Sequence, residues 1–173
     1  RVNRATIKGV SAGKFCKLGG EISNSIIYQY SNKGHYGFLG DSYVGEWVNL
    51  GAGTTTSNLK NTYGEVSLRV GNEIIKTERQ FCGAFIGDYV KTGIGTMLNT
   101  GTHIGCGAQV FGTALHSKYI PSFSWGESNS YSSILKDKFF EVTKRVMQRR
   151  NIELHDFHQE YLSSYYDEVL VTT

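Results

Sequence analysis

The fold is decided by residues 86–115, which read IGDYVK, TGIGTM, LNTGTH, IGCGAQ and VFGTAL in successive blocks of six. The first position of each block is mostly aliphatic and the fifth is always small or β-branched; these positions hold Ile86, Thr92, Leu98, Ile104 and Val110, and Val90, Thr96, Thr102, Ala108 and Ala114. A period of six fits neither an amphipathic helix nor an alternating strand. It indicates a coil with three flat sides, in which the first and fifth positions point inward.

The same frame extends toward the N-terminus. Residues 44–55 read VGEWVN and LGAGTT, and a weaker version runs through Val10, Cys16, Ile22 and Tyr28. About three blocks complete one triangular coil, and each coil buries its inner face on its neighbours. We expect the glycine that often follows the first position to supply turn dihedrals that side chains resist. The sequence therefore predicts an all-β fold, a left-handed parallel β-helix, because an irregular glycine-rich protein would not keep so many blocks in register.

Two interruptions of the period predict segments outside the coil. The spacing is lost between Tyr28 and Phe38, so we expect residues 31–35 to form a short surface bulge. A longer break predicts a protruding arm over residues 57–79, in which LRVGNEII (residues 68–75) is typical of a hairpin turning at Gly71-Asn72. Insertions in a rigid solenoid are common positions for functional residues.

The blocks stop after Ala114. We expect the β-helix to occupy residues 1–115, and residues 116–173 to form an irregular segment followed by helices. Apolar residues at helical spacing predict a helical extension with two amphipathic helices, which carry Leu135, Phe139, Val142 and Val146, and then Leu154, Phe157, Tyr161, Leu162 and Tyr165. These helices are expected to cover the end of the coil or to reach a neighbouring subunit.

Composition and charge narrow the function. The 173 residues include 21 Gly and one Pro, and their formal net charge of +3 is too mild to indicate nucleic-acid binding. No apolar stretch is long enough to cross a membrane, and no signal peptide is visible. Cys16, Cys82 and Cys106 are odd in number and lack metal-ligand spacing, which indicates reduced thiols in a cytoplasmic protein. Because the chain starts at Arg1 inside a repeat, we expect a partner domain before it.

The order of short motifs carries a family resemblance. Residues 34–41 read GHYGFLGD and residues 48–58 read VNLGAGTTTSN. This order resembles the acetyltransferase domain of the bifunctional N-acetylglucosamine-1-phosphate uridyltransferase/glucosamine-1-phosphate acetyltransferase family. The overall pattern, including IPSFSWG at residues 120–126, looks like the C-terminal half of the variant sugar nucleotidyltransferases of Bacteroidetes-type bacteria. The resemblance covers roughly residues 5–150, and the nucleotidyltransferase half is absent from this sequence.

The resemblance implies transfer of an acetyl group from acetyl-CoA to the amine of an amino-sugar phosphate such as glucosamine-1-phosphate. His35 matches the general base of the family. Ala52 matches a residue that lies against the acetyl thioester, and Ile94 and Gly112 match positions that line the coenzyme A groove. A backbone N–H within residues 51–53 would stabilise the oxyanion.

The resemblance also implies a set of substrate-binding residues. Asn49 and Asn58 match residues that contact the sugar phosphate, and either Lys60 or Lys76 matches a substrate-binding lysine of the arm. Arg4 loosely matches a substrate-binding arginine, and we expect Lys33 to add a cation for the phosphate. The family further implies a homotrimer whose active sites are shared between neighbouring subunits. No metal is expected in this domain. Mg²⁺ is expected only in the nucleotidyltransferase half.

Two positions depart from the family pattern. Phe38 replaces a tyrosine whose hydroxyl contacts substrate, and Ser23 replaces a lysine, so fewer phosphate ligands remain and the acceptor or the activity itself can differ. The alternative function is a non-catalytic trimerisation and regulatory domain of a sugar-1-phosphate nucleotidyltransferase. A zinc site for carbon dioxide hydration is disfavoured, because the histidines lack the close paired spacing that such a site uses; they are His35, His103, His116, His155 and His158.

Overall fold

The computed structural model describes residues 1–128 and 130–171. Asn129, Thr172 and Thr173 belong to the predicted C-terminal region 116–173 and lie outside the described residues. The chain divides into two compact units, Arg1–Ser132 and Ser133–Thr173. No described helix is long and apolar enough to cross a membrane.

The first unit is a parallel β-helix built from very short strands, which confirms the predicted fold class. The strands are β1 (Val2–Lys8), β2 (Ser11–Ala12), β3 (Lys17–Ser23), β4 (Ile26–Ile27), β5 (Asn32–Lys33), β6 (Phe38–Gly40), β7 (Tyr43–Val44), β8 (Thr55–Thr56), β9 (Ser67–Val70), β10 (Glu73–Lys76), β11 (Phe85–Ile86), β12 (Lys91–Thr92), β13 (Met97–Leu98), β14 (His103–Ile104), β15 (Gln109–Val110), β16 (Tyr119–Ile120), β17 (Ser124–Glu127) and β18 (Ser130–Ser133).

Most of these strands line the three sides of the coil, whereas β9 and β10 belong to the arm and β18 pairs with β17. The first face has the order β2, β4, β7, β11, β14 and β16. The second face runs from the start of β3 through β5, the bridge residue Asn49, β12 and β15 to β17. The third face contains the end of β3, β6, β8, β13 and the bridge residue Leu115. We call the bend between the second and third faces the His35 corner, and the bend between the third and first faces the arm corner.

The inward positions of the blocks form one apolar core. Ile86, Leu98, Ile104 and Val110 are buried, and so are the fifth-position residues Val90, Thr96, Thr102 and Ala108. The prediction for Ala114 was wrong, because this residue is exposed. His116 takes the next inward position instead: it follows Leu98 by 18 residues, it is buried, and its N–H donates to Met97 O.

The coil continues past residue 115, where we had placed its end. Tyr119 of β16 pairs with His103 and Trp125 of β17 pairs with Gln109, both at an offset of 16 residues. The earlier pairs Phe85 with His103 and Lys91 with Gln109 have an offset of 18 residues. The last coil is therefore two residues shorter, which hid the period in the sequence.

The weak N-terminal frame is displaced by one residue. Ile27 is buried, whereas Tyr28, which the frame placed inside, is 45% exposed. The reason lies at the arm corner, where Asn24 and Asp41 adopt left-handed φ angles of 45° and 47°. Because the bend is this tight, the inward residues Ile22 and Ile27 on its two sides are only five positions apart, instead of six.

Glycine at the second block position has a different role from the one we predicted. Gly87 and Gly105 do not have positive φ angles, but a Cβ would lie 2.8 Å from Cys106 N at the first and 2.4 Å from Ser122 N at the second. Close approach of the next coil therefore excludes a side chain there. The left-handed dihedral occurs at the fourth block position instead, for example at Gly53 and Gly95.

The arm begins after β8 and folds back along the arm corner. Its strands β9 and β10 form the predicted antiparallel hairpin, with Val70 opposite Glu73. Val66, at the base of the hairpin, is buried, and a Cβ on Gly101 would lie only 2.4 Å from Ser67 O. The tip projects, because Ile74 is 71% exposed. Only the tip of the arm therefore protrudes.

The second unit contains the two predicted helices, α1 (Lys136–Gln148) and α2 (Asp156–Val171). The buried side of α1 is formed by Phe139, Thr143 and Met147, whereas Leu135 precedes the helix and is 72% exposed. The predicted apolar stripe of α1 was therefore right at Phe139 and wrong at Leu135. In α2 the buried side chains are Leu162 and Tyr166.

Candidate active site

Four of the candidate residues occupy the same corner in successive coils. Backbone pairing connects Asn32 to Asn49, Asn49 to Lys91 and Lys91 to Gln109 along the second face. The residues three positions further along the chain are His35, Ala52, Ile94 and Gly112, so they stack at the His35 corner. The coils therefore bring together the residues matched to the general base and to the acyl-CoA groove.

His35 lies on a turn of residues 34–37 between β5 and β6, and its side chain is exposed. The predicted bulge at 31–35 was placed too early, because Ser31 is fully buried and β5 is part of the coil. Gly37 requires a positive φ of 115°, and a Cβ there would lie 2.3 Å from Thr54 O. The turn is therefore pressed against the next coil, which fixes its backbone.

Tyr36 connects this turn to the corner above it. Its carbonyl accepts a hydrogen bond from Gly53 N at 3.1 Å. Its ring covers Gly53, where a Cβ would lie 3.0 Å from Tyr36 Oη. The phenol is 70% exposed and next to His35, so it belongs to the candidate site. The sequence did not single out Tyr36, since its only signal was its place within the Gly-His motif.

Lys33 does not face the site, contrary to our expectation that it binds phosphate. It occupies an inward position of β5 and is only 2% exposed. Its Nζ donates to His35 O at 2.6 Å and to Tyr36 O at 3.2 Å. Burial lowers its pKa to about 8. A cation enclosed in this way has no open side for a substrate phosphate.

Asn49 is exposed on the outer side of the second face, next to the His35 corner. Its Oδ1 accepts a hydrogen bond from Asn32 Nδ2 at 3.3 Å. The two asparagines therefore form the start of a polar ladder across adjacent coils. This arrangement is compatible with substrate contact and also stabilises the coil without any ligand.

Asn58 lies at the arm corner, on the other side of the third face from His35. Its Nδ2 donates to Asp41 Oδ2 at 2.6 Å. Phe38 is close to it, since a Cβ on Gly40 would meet Phe38 Cζ at 2.4 Å and Asn58 Nδ2 at 2.9 Å. The third face, with Phe38 on it, therefore connects the His35 corner to Asn58. Asp41 is a second residue that we did not single out, although its Leu-Gly-Asp motif was visible.

The remaining candidate cations are spread over the coil. Lys60 donates to Glu65 O within the arm, and Lys76 is exposed at the end of β10. Arg4 is exposed on β1, beside Ala5, which pairs with Gly20. A Cβ on Gly20 would in turn lie 2.8 Å from His35 O, so Arg4 belongs to the same corner two coils before His35. The structure thus brings Arg4 to the His35 corner and both arm lysines to the arm.

Two of the three proposed oxyanion donors are already engaged. Gly51 N donates to Thr92 Oγ1 at 3.0 Å, and Gly53 N donates to Tyr36 O. Ala52 is the remaining candidate among residues 51–53, and it lies in the column above His35.

His103 and His116 belong to the scaffold. Burial lowers the pKa of both side chains. His116 Nδ1 lies 2.7 Å from Tyr131 Oη, and backbone at Arg69 hydrogen-bonds with His103. Among residues 1–128 and 130–171, no three His, Cys, Asp or Glu side chains come together as metal ligands.

Comparison with known proteins identifies relatives that match part of this chain. A bifunctional sugar-1-phosphate nucleotidylyltransferase/acetyltransferase of Sulfurisphaera tokodaii is 38% identical over 91 residues, which are 53% of this chain and 23% of the relative. The bifunctional protein GlmU of Methanococcus aeolicus is 41% identical over 85 residues, or 49% of this chain and 20% of the relative. The chain spans about a quarter of the length of these relatives or less. No protein-family model matches the sequence.

Solved structures agree with the fold. A mutant form of AntD, an N-acyltransferase from Bacillus cereus in complex with dTDP and coenzyme A, superposes with a TM-score of 0.57 at 13% identity, over 84% of this chain and 86% of that chain. PerB from Caulobacter crescentus, in complex with CoA and GDP-perosamine, gives a TM-score of 0.52 at 15% identity, over 74% and 53% of the two chains. At such low identity these structures define the β-helix architecture alone.

Proposed function

We propose that this chain is the acyltransferase domain of a sugar nucleotidyltransferase, and that it transfers an acetyl group from acetyl-CoA to the amine of an amino-sugar phosphate. The observation that carries the proposal is the column of His35, Ala52, Ile94 and Gly112 at one corner of four coils. The name of the matched Sulfurisphaera tokodaii relative, which combines nucleotidyltransfer with acetyl transfer, supports it. A place among the variant enzymes of Bacteroidetes-type bacteria, and in the cytoplasm, is part of the same proposal.

The chemistry requires no enzyme nucleophile. The substrate amine attacks the thioester carbonyl, and the exposed imidazole of His35 accepts the proton that the amine loses. The tetrahedral intermediate carries an oxyanion, which the Ala52 N–H stabilises. Collapse of the intermediate breaks the C–S bond and releases the thiolate of coenzyme A, which His35 reprotonates. The rigid corner holds both substrates in one orientation, which lowers the entropic cost of bringing them together.

The polar groups at the site indicate which acceptor substrates it can bind. Lys33 is enclosed and Asn58 is bound to a carboxylate, so both are weaker phosphate ligands than the sequence indicated. Arg4, Lys60 and Lys76 remain as candidate cations. Structures related in fold contain amino sugars linked to nucleotides, GDP-perosamine in PerB and dTDP-4-amino-4,6-dideoxyglucose in a second AntD structure. Glucosamine-1-phosphate is our first acceptor, and nucleotide-linked amino sugars are the class to compare with it.

We also propose that the chain assembles as a homotrimer in which the β-helix of a neighbouring subunit completes the coenzyme A groove. Large apolar side chains are exposed near His35, with Ile94 76% exposed and Met97 and Leu115 about half exposed on the third face. Met97 pairs with Leu115, so these two exposed side chains lie next to each other on adjacent coils, and such an apolar surface favours packing against another subunit. Sedimentation of the purified chain at micromolar concentration should show a trimer, and a stable monomer would count against a shared site.

The test of the acyltransferase function is turnover of acetyl-CoA with a panel of acceptors, followed by mass spectrometry of the acetylated sugar. The His35→Ala variant should lower kcat by about 100-fold or more, since a general base contributes this much. His155→Ala is the matched control, because His155 is also exposed but lies in the second compact unit. Turnover that is equal in the wild type and in His35→Ala would refute the assigned role of His35.

A second candidate function is a non-catalytic trimerisation domain that supports a nucleotidyltransferase. The inward orientation of Lys33, together with Phe38 at the position of the family tyrosine, favours this alternative. Absence of turnover with every acceptor, combined with a trimer that stabilises an attached nucleotidyltransferase half, is the result that would establish it.

A further inference from the structure

Lys33 occupies an inward position that holds an apolar side chain in each of the two neighbouring coils. Leu18 pairs with Lys33 in the preceding coil, and Leu50 takes the equivalent inward position in the following one. Both leucines are buried, and Lys33 is 2% exposed between them. Burying an amine in apolar surroundings is costly unless hydrogen bonds satisfy it. A leucine or methionine here would give a more favourable core, so the lysine requires another explanation.

The amine of Lys33 reaches out of the core to one short segment. It donates to two consecutive carbonyls, those of His35 and Tyr36, and no described carboxylate forms an ion pair with it. The Tyr36 carbonyl also accepts from Gly53 N. The turn that carries His35 is therefore bonded from below by the lysine and from above by the next coil.

These bonds determine where the His35 side chain can point. Fixing the His35 and Tyr36 carbonyls fixes the two peptide planes that flank Tyr36. One of these planes directly follows His35. Gly37 and Gly20 confine the same turn sterically, because a Cβ on either would collide with neighbouring backbone. The imidazole itself is exposed, so its direction depends on the backbone of the turn.

We propose that Lys33 is a positioning residue, which orients the His35 imidazole from inside the coil by holding the His35 and Tyr36 carbonyls. The proposal rests on the proposed acyltransferase role of His35. Lys33 touches neither substrate, and it acts only through the turn. A neutral amine retains two N–H groups, so the two bonds to the turn persist when the lysine loses its proton.

The variant Lys33→Met tests this role, because methionine matches the length and apolar character of the lysine stem but has no donor. We expect its unfolding free energy to equal or exceed that of the wild type, since the core position becomes apolar. Amide hydrogen exchange should accelerate about tenfold or more at Phe38 and Gly53, and only there, because their N–H groups donate to Thr55 Oγ1 and to Tyr36 O at this turn. We expect kcat to fall about 10-fold to 100-fold, whereas the KM for acetyl-CoA should stay within about twofold, since small misplacement of a reacting group is this costly.

Lys91→Met is the matched control. Lys91 also has a pKa lowered by burial to about 8, and its Nζ donates to Tyr89 O at a different bend. This variant should leave exchange at Phe38 and Gly53, and kcat, as in the wild type.

The outcomes separate the two proposals. If the wild type has no turnover, the acyltransferase function fails, while the exchange at Phe38 and Gly53 still measures whether Lys33 holds the turn. Unchanged exchange and unchanged kcat in Lys33→Met would overturn the positioning role. A general rise in exchange with a lower unfolding free energy would overturn it as well, because Lys33 would then be structural only.

Discussion

Asn58 donates its side-chain amide to Asp41 Oδ2 at 2.6 Å, and this bond decides which atom of Asn58 remains for a ligand. The carboxylate can only accept, so it selects the amide nitrogen and turns the Asn58 carbonyl oxygen away from Asp41. An oxygen acceptor beside a carboxylate suits a hydroxyl or an amine of the substrate better than a phosphate. Asn58 thus favours the sugar ring as its ligand.

We predict that Asp41→Asn weakens binding of the acceptor. Asparagine has the same shape and tolerates the left-handed φ of 47° at this position, so the fold should be retained. A neutral acceptor holds the Asn58 amide less firmly than a carboxylate, by about 1 kcal/mol. Steady-state kinetics should show a KM for the acceptor raised about fivefold, with the KM for acetyl-CoA unchanged.

Asn24→Gly is the control for this measurement. Asn24 Nδ2 approaches the other oxygen of Asp41 at 3.4 Å, and glycine accepts the left-handed φ at position 24. Its kinetics should match those of the wild type. An unchanged acceptor KM in Asp41→Asn would show that Asn58 does not contact the substrate.

Glycine substitutions should separate backbone strain from steric exclusion at the arm. Gly71 and Gly101 have similar φ angles of 58° and 63°, but a Cβ on Gly71 meets nothing within 4 Å, whereas one on Gly101 meets Ser67 O at 2.4 Å. Gly71→Ala should cost about 1 kcal/mol for the left-handed dihedral alone. Gly101→Ala should cost at least twice as much, because the arm must also move.

Denaturant unfolding and amide exchange at Val66 and Ser67 provide the measurement. We expect Gly101→Ala to expose the base of the arm to exchange, and Gly71→Ala to leave it protected. Equal destabilisation by the two variants would mean that the arm yields without cost and that its contact with Gly101 is weak.

The sequence predicted the β-helix fold better than it predicted which polar side chains point into the core. The period of six identified the parallel β-helix, and the family resemblance identified His35, Ala52, Ile94 and Gly112 one by one. These four residues form a column because of the strand register. The register in turn depends on the number of residues in each coil, which differs from coil to coil. No period in the sequence shows that length directly.

Lys33 and His116 illustrate why the remainder was missed. Both stand at inward positions that hold mostly aliphatic residues elsewhere. The frame through Tyr28 lost its spacing before Phe38, which led us to place Lys33 in a surface bulge, and the blocks that stop after Ala114 led us to end the coil before His116. A frame through Ile27, Lys33 and Leu39 keeps a spacing of six and was available in the sequence. His116 likewise follows Leu98 by three blocks. In this coil, the spacing was a better guide to burial than the polarity of the side chain.

His116 should make the β-helix sensitive to acid. Burial lowers its pKa in the folded state below the ordinary value of 6.5, so the unfolded chain binds more protons than the folded chain below that pH. Stability is therefore fully present above about pH 6.5 and declines as the pH falls through and below this value, by at most about 1.4 kcal/mol per pH unit for one histidine. Burial lowers the pKa of His103 as well, so it contributes in the same direction.

We expect His116→Leu to lose less stability than the wild type between pH 7.5 and pH 5, as measured by denaturant unfolding at both pH values. Leucine extends the aliphatic row from Leu98 and removes the titrating group. Tyr131→Phe removes the hydroxyl that lies 2.7 Å from His116 Nδ1 and should lower stability by about 1 kcal/mol at pH 7.5. Identical losses in His116→Leu and the wild type would assign the acid sensitivity to other groups.

The bend between the first and second faces carries an aromatic stack. The ring of Tyr30 lies between Phe15, at 5.0 Å, and Trp47, at 4.2 Å, with interplanar angles of 14° and 1°. All three residues have left-handed φ angles between 57° and 62°. This conformation destabilises the fold by about 1–2 kcal/mol for each residue with a side chain, and each stacked pair stabilises it by about 0.5–1.5 kcal/mol. The stack thus offsets the strain of the bend.

This balance predicts an unusual order of stabilities at position 30. Tyr30→Phe keeps both stacked pairs and should stay within about 0.5 kcal/mol of the wild type. Tyr30→Leu keeps the strain but loses the stack, so it should cost about 2 kcal/mol. Tyr30→Gly loses the stack and releases the strain, so it should be no less stable than Tyr30→Leu, whereas glycine is ordinarily the more damaging residue within a strand. Denaturant unfolding of the three variants measures this order, and a glycine variant clearly less stable than the leucine variant would show that burial, rather than relief of strain, dominates at this bend.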